Sequence, residues 1–162
     1  HNSGATIFAY PVNDPQRYGV VEFDKNGKAI NIEEKPKNPK TNYAVTGIYF
    51  YDPTAVDKAL TLKPSLRGEL EISALNNIYM SERKLKVELV SKGSAWLDTG
   101  TTDSLLEASS YIKTLEKRQG LKIGCPEEVA WEKRWIDNTQ LNTLAKALGN
   151  SGYGKYLSNL IS

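Results

Sequence analysis

Apolar residues tend to alternate through the first half of this chain and to recur every three or four positions through the second. Residues 5–12 (Ala-Thr-Ile-Phe-Ala-Tyr-Pro-Val) form a strand-like run closed by the turn signal Asn13-Asp14-Pro15. Residues 19–23 and 29–33 flank Asp24-Lys25-Asn26-Gly27-Lys28, and because Asn-Gly favours positive φ this segment reads as a β-hairpin. Pro36 and Pro39 then hold an extended loop. Residues 43–51 make a third run. Asp52 is the expected cap of a helix over 54–62, with Pro53 suited to its first turn. A second helix is predicted over 69–83, with Leu70, Ile72, Leu75, Ile78 and Tyr79 on its apolar period, and residues 85–90 alternate as a half-buried strand does. Beyond Trp96-Leu97-Asp98-Thr99-Gly100 a long helix is predicted over 102–118. Leu105, Leu106, Ala108, Ser109, Ile112 and Leu115 are its expected buried stripe, and Gly120 its stop. From Pro126 the pattern is all helical. Glu127 and Glu128 favour the positive end of a helix dipole, Asn138-Thr139 are read as the cap of a helix over 140–148, and a short helix follows Gly152-Tyr153-Gly154.

Strands first and helices afterwards define an α/β chain: a mixed sheet with helices over residues 1–120, then a helical region over 121–162. The 162 residues suffice for one domain with a real core, or for a large fragment of a bigger one. A composition of 40% hydrophobic and 25% charged residues is that of a soluble globular chain, and a net charge of +2 without a basic, aromatic-interleaved run gives nucleic-acid binding no support. Cys125 is the only cysteine, so an internal disulfide is excluded. No apolar stretch approaches the ~20 residues that span a bilayer. The start, His1-Asn2-Ser3-Gly4, has no signal-peptide pattern, and the expectation is a cytoplasmic chain with no membrane partner.

Charged or conformationally special residues stand at the ends of these runs in a fixed order. Gly19 opens a strand after Arg17-Tyr18, where the missing Cβ allows close backbone approach to a ligand or simply makes a turn. In Glu33-Glu34-Lys35-Pro36, strand alternation sends the two glutamates to opposite faces. An inward Glu beside a Lys can accept from sugar hydroxyls while the ammonium neutralises a phosphate; a solvated turn is the plain alternative. Tyr43, Val45, Gly47, Tyr49 and Tyr51 share one strand face, where Gly47 would leave a hollow between aromatic rings, although most such stripes are core. Arg67 precedes a helix rich in early acids, so it either meets a phosphate or pairs with Glu69 and Glu71. Asp98 is either a helix cap or one carboxylate of a Mg²⁺ site. His1 is the only histidine and terminal, which excludes histidine-based catalysis or a zinc site.

The ordered set RYGVVEFD, EEKP, NYAVTGIYFYD, RGELEI and WLDTG, followed by the C-terminal helical stretch, closely resembles the glucose-1-phosphate thymidylyltransferases of the bacterial sugar-nucleotide pyrophosphorylases. The resemblance runs from about Gly4 to the C-terminus. It implies a Rossmann-like nucleotidyltransferase sheet, here partial, and a helical region used in a homo-oligomer, a tetramer in intact members. The implied reaction joins dTTP and glucose 1-phosphate into dTDP-glucose and pyrophosphate by in-line attack of the sugar phosphate oxygen on the α-phosphorus, so catalysis is positioning and charge neutralisation. By motif match, Gly19, Glu34, Val45 and Tyr49 line the sugar site with Tyr18 and Trp96 nearby. Lys35 and Arg67 hold the sugar phosphate and act as the catalytic cations, and Asp98 is one Mg²⁺ ligand.

The family's glycine-rich nucleotide loop, G-G-x-G-T-R, has no counterpart in the chain, and neither has the upstream acidic motif that supplies a second metal carboxylate. The expectation is therefore the sugar-phosphate half of an enzyme, binding dTTP only together with the other half and inactive alone. A regulatory nucleotide site built partly from the segment matching 124–132 is also implied, with Gly124, Glu128 and Val129 carried over. Glu132 stands where family members carry Arg, which weakens phosphate binding there. A uridylyltransferase fragment and a non-catalytic sugar-phosphate-binding or oligomerisation module are the alternatives. Self-association through open strand edges is expected.

Overall fold

The computed structural model describes residues 3–91 and 93–162. The chain divides into two compact units, the first ending at Trp96 and the second spanning Leu97–Ser162. The change of character expected after residue 120 thus stands beside a compact division that falls one helix earlier.

The first unit is built on five strands, β1 (Ala5–Pro11), β2 (Gly19–Phe23), β3 (Ala29–Glu34), β4 (Tyr43–Tyr51) and β5 (Leu85–Leu89), in the order β3-β2-β4-β1-β5. β1 pairs parallel with β5 and antiparallel with β4, and β2 pairs antiparallel with β3 and β4, so the sheet is mixed as expected. The β2–β3 hairpin turns at Gly27 (φ 77°), where Asp24 Oδ1 accepts from the amides of Asn26 and Lys28. Ile7, Ala9, Val21, Ile32 and Val45 fill one face of the sheet, with Phe23, Tyr43, Tyr49 and Val87 packed against them. Ala5, Leu75 and Tyr79 continue this core to helix α2.

A bulge interrupts the β1–β4 ladder. Ile7 pairs with Tyr49 and Ala9 with Val45, so Phe8 alone stands opposite residues 46–48. Gly47 takes up the turn with φ 79° and is exposed, with open space where a Cβ would point. It is a bulge residue and not the floor of a hollow. Because two residues are inserted, the alternation survives, and Tyr43, Val45 and Tyr49 still share the core face.

Helix α1 (Ala55–Leu60) is shorter than predicted and its N-cap position falls on Thr54; Asp52, the predicted cap, instead braces the turn before it. Its Oδ1 accepts from Thr54 N and Oγ1 and from the Tyr79 hydroxyl, and its Oδ2 accepts from Gly4 N at 2.7 Å. These bonds hold its carboxyl far below the usual carboxylate range. Gly4 (φ 103°) is required there, since a Cβ would lie 2.4 Å from Lys84 O. Helix α2 (Ile72–Ser81) begins three residues later than predicted, because residues 65–69 close a turn through Ser65 N–Glu69 O with Gly68 at φ 78°. Its buried face includes Ser73 and Asn76, while Leu70 and Ile72 lie exposed.

The second unit holds α3 (Thr102–Gln119), α4 (Pro126–Glu132), α5 (Asn138–Ala147) and α6 (Gly152–Asn159). Thr101 and Ser104 form a capping box at α3, and Gly120 (φ 71°) stops it as expected. The predicted stripe of α3 is not buried: Ala108 alone is, while Leu105 and Leu106 are 53% and 67% exposed. The core of this unit is instead Cys125, Leu141, Ala145 and Leu157, with Trp131 and Tyr153 against it, drawn from α4 to α6. Asp137, and not Asn138-Thr139, caps α5, exchanging hydrogen bonds with Gln140 in a second capping box. Asn138 accepts from Trp131 Nε1 at 2.7 Å. Gly154 lets α6 approach the end of α5, because a Cβ there would lie 2.9 Å from Gly149 O and 3.0 Å from Ala145 O.

Candidate functional site

At one end of the core face, Gly19 opens β2 and pairs with Glu34, which closes β3. Alternation turns Glu33 to solvent and leaves Glu34 half-buried. The Glu34 carboxylate lies over the strand beside it, and a Cβ at Gly19 would sit 3.1 Å from Glu34 Oε2 and 3.7 Å from Val45 Cγ2. Gly19, Glu34 and Val45 are therefore adjacent: a carboxylate, a side-chain-free strand start and an apolar wall. Tyr49 joins them. Its phenol pKa is raised by burial first and by the negative charge of Glu34 second.

The pairing of β2 and β3 continues one step further, with Lys35 N donating to Tyr18 O at 3.0 Å. Lys35 takes φ 45°, in the left-handed region that costs a side-chain-bearing residue roughly 1–2 kcal/mol. Pro36 is buried after it, while the Lys35 side chain is exposed. Backbone strain at a lysine next to an inward carboxylate is an independent mark of a site. Tyr18 packs edge-on against Trp96 at 5.0 Å between centroids, with the Arg17 guanidinium 5.3 Å above its ring. Trp96 Nε1 donates to Thr46 O, so the indole is fastened to the β4 bulge.

Arg67 is engaged locally, its guanidinium meeting Glu69 at 2.9 Å and Glu71 at 3.3 Å. Of the two readings left by the sequence, local pairing is the one present in this structure. Asp98 is half-buried in an irregular segment of the second unit, and Thr101, not Asp98, caps the following helix. Among the described residues no three His, Cys, Asp or Glu cluster as a metal site would.

In the second unit Gly124 takes φ 73°, and Glu128 accepts from the Tyr156 hydroxyl with both oxygens at 2.8 Å. Gly124, Glu128, Val129 and Glu132 line an open cleft of about 630 Å³ together with Lys122 and Trp135. Sequence reasoning passed over Asn76, and placed Tyr51 and Asp52 only as a strand-face ring and a helix cap. A polar residue on the apolar period of α2 was the available signal for Asn76.

A mixed sheet carrying a carboxylate across a strand-opening glycine agrees with the family whose sequence model, Nucleotidyl transferase, matches residues 1–114, and the chain belongs to that family. Within it the chain is 58% identical over 161 residues to the glucose-1-phosphate thymidylyltransferase of Mycolicibacterium smegmatis, an overlap covering 99% of this chain and 56% of that protein. It is 57% identical over 157 residues to the enzyme of that name from Xanthomonas campestris, covering 97% and 53%. A Bacillus anthracis crystal structure, described as a candidate glucose-1-phosphate thymidylyltransferase in complex with a sucrose, matches with a TM-score of 0.60 at 45% identity, over 67% of this chain and 43% of that one. The chain spans about half the length of the curated relatives it matches.

Proposed function

We propose that this polypeptide forms the sugar-phosphate side of a glucose-1-phosphate thymidylyltransferase. The carrying observation is the contact of Glu34 with the bare backbone of Gly19 beside Val45 and Tyr49. In this reading a hexose lies over Gly19, where no side chain keeps it off the strand, and Glu34 accepts from its hydroxyls. Val45 presents backbone and an apolar wall, Tyr49 closes the opposite side, and Tyr18 with Trp96 borders the entrance. The Lys35 ammonium, aimed by its left-handed backbone, neutralises the phosphate. Arg67 joins it by exchanging one carboxylate partner for the phosphate, which its five donors allow.

The reaction assigned to the whole enzyme is attack of the sugar phosphate oxygen on the α-phosphorus of dTTP, with pyrophosphate leaving. Lys35 and Arg67 hold the attacking oxygen in place and spread its charge. One carboxylate, Asp98, is a donor set that fits a Mg²⁺ completed by phosphate oxygens and water. Such an ion, when bound, neutralises phosphate charge. The glycine-rich nucleotide loop has no counterpart in these 162 residues, so the polypeptide by itself does not turn over. Gly124, Glu128 and Val129 are assigned to a regulatory cleft, assembly to a homo-oligomer, and the compartment to the cytoplasm.

Calorimetric titration of the chain with glucose 1-phosphate and with dTTP tests the reading. Binding of the sugar phosphate, lost in Glu34→Gln and Lys35→Ala, is expected without binding of dTTP. Failure to bind either ligand, or synthesis of dTDP-glucose by the chain alone, overturns it.

A further inference from the structure

Tyr49 closes the sugar site, and its ring is held from behind. It stacks on Tyr51 (centroids 5.8 Å apart, planes at 14°), and Tyr51 stacks on Tyr79 (5.5 Å, 27°). The three rings make a column from β4 to α2. Its far end is fixed, because Tyr79 is fully buried, donates to Asp52 Oδ1 at 2.8 Å and carries the Lys58 ammonium 5.1 Å over its ring. The middle ring is fixed by one bond, from Tyr51 Oη to Asn76 Oδ1 at 2.6 Å.

Asn76 is the unusual member. It is fully buried, and its Nδ2 has no acceptor among the described residues. A buried amide with half its bonding unmet costs stability, and a leucine of similar size would fill the same place without that penalty. What asparagine supplies and leucine cannot is an acceptor that fixes the direction of the Tyr51 hydroxyl, and with it the tilt of the ring under Tyr49. The bulge at 46–48 makes such support necessary. Tyr49 is the first regularly paired residue after it, so the strand on its N-terminal side does not hold it in register.

We infer that Tyr51, oriented by Asn76, is the positioning residue that holds Tyr49 beside Glu34, and that their hydrogen bond sets affinity for the sugar portion of a sugar phosphate and not for its phosphate. This rests on the sugar-site reading above. Tyr51 touches no substrate; it acts through Tyr49.

Two variants test it. Tyr51→Phe removes the hydroxyl but leaves Asn76 Oδ1 unpaired. Tyr51→Phe/Asn76→Leu removes both partners together, so no new orphan is buried and folding is preserved. Affinity for glucose 1-phosphate is expected to fall about tenfold, or ~1.4 kcal/mol, in both variants, with inorganic phosphate affinity unchanged. The tyrosine ring-carbon NMR signal of Tyr49 should move, and its titration should begin at lower pH as the ring leaves the Glu34 charge. Unchanged sugar affinity and an unmoved Tyr49 signal in the folded double variant would overturn the inference. If the unaltered chain binds no glucose 1-phosphate, the sugar-site reading falls. The Tyr49 signal, read without ligand, then decides the positioning role: a shift supports it and no shift overturns it.

Discussion

The carboxylate of Glu34 occupies the space in which a side chain at Gly19 would begin, 3.1 Å from where its Cβ would lie. The φ of Gly19 lies outside the left-handed region, so the backbone would accept alanine. Only the carboxylate has to give way, by a few tenths of an ångström. Gly19→Ala is therefore expected to leave the melting temperature unchanged or slightly higher, since Gly in a strand costs roughly 0.5–1 kcal/mol relative to Ala. Glucose 1-phosphate affinity should fall several-fold. Loss of stability with retained binding would show that Gly19 serves the fold and not the site.

Asp52 ties together the start of β1, the start of α1 and the hydroxyl of Tyr79. Its folded-state pKa is depressed, by the Thr54 hydroxyl first and the Gly4 amide second. The stability it supplies is thus complete above the ordinary aspartate value of about 3.9 and is lost as pH falls toward the lower folded value. Asp52→Asn places an amide NH₂ against donors. Urea titrations from pH 7 to pH 3 should find this variant less stable at pH 7 and less sensitive to acid than the unaltered chain. Equal acid slopes would remove Asp52 from the account.

Arg67 must part from a carboxylate to meet a phosphate, so its partners compete with the ligand. The Arg67–Glu69 pair is exposed, and such a pair is worth about 0–1 kcal/mol, which bounds the gain from Glu69→Gln at roughly fivefold in phosphate affinity. Arg67→Lys, which loses the planar fork, should weaken binding. Calorimetry with glucose 1-phosphate that finds both variants indistinguishable from the unaltered chain would confine Arg67 to bracing the turn before α2.

Capping separates two neighbouring residues in the helical unit. Asp137→Ala should cost about 1 kcal/mol, the usual worth of an N-cap. Asn138→Ala should spare the cap and alter Trp131 fluorescence by removing its Nε1 acceptor. Denaturant unfolding followed at 280 and 222 nm checks both, and the reverse ranking would restore Asn138 as the cap.

The strands were legible because alternation and the Asn26-Gly27 turn act locally: β2 and β4 lie on the expected residues, and β1, β3 and β5 differ from them by one residue at the C-terminal end. Glu34 was legible as one of two alternating glutamates, and the fold supplied the choice. Three features were not readable, because each depends on contacts distant in sequence. The role of Gly47 hinges on a two-residue insertion opposite Phe8, which alternation conceals by preserving parity. Leu105 and Leu106 follow a helical period, but a period cannot reveal whether anything packs on it. Asn76 depends on Tyr51, twenty-five residues away.

Lys35 keeps its ammonium on a backbone conformation that glycine or asparagine adopts more readily. Stability and chemistry are therefore opposed at this one position. Directed evolution of the chain for heat resistance alone should accept Gly or Asn at 35 and so discard the cation without any other mark on the fold. A thermostabilised descendant that still binds sugar phosphate should have improved elsewhere and left this lysine strained.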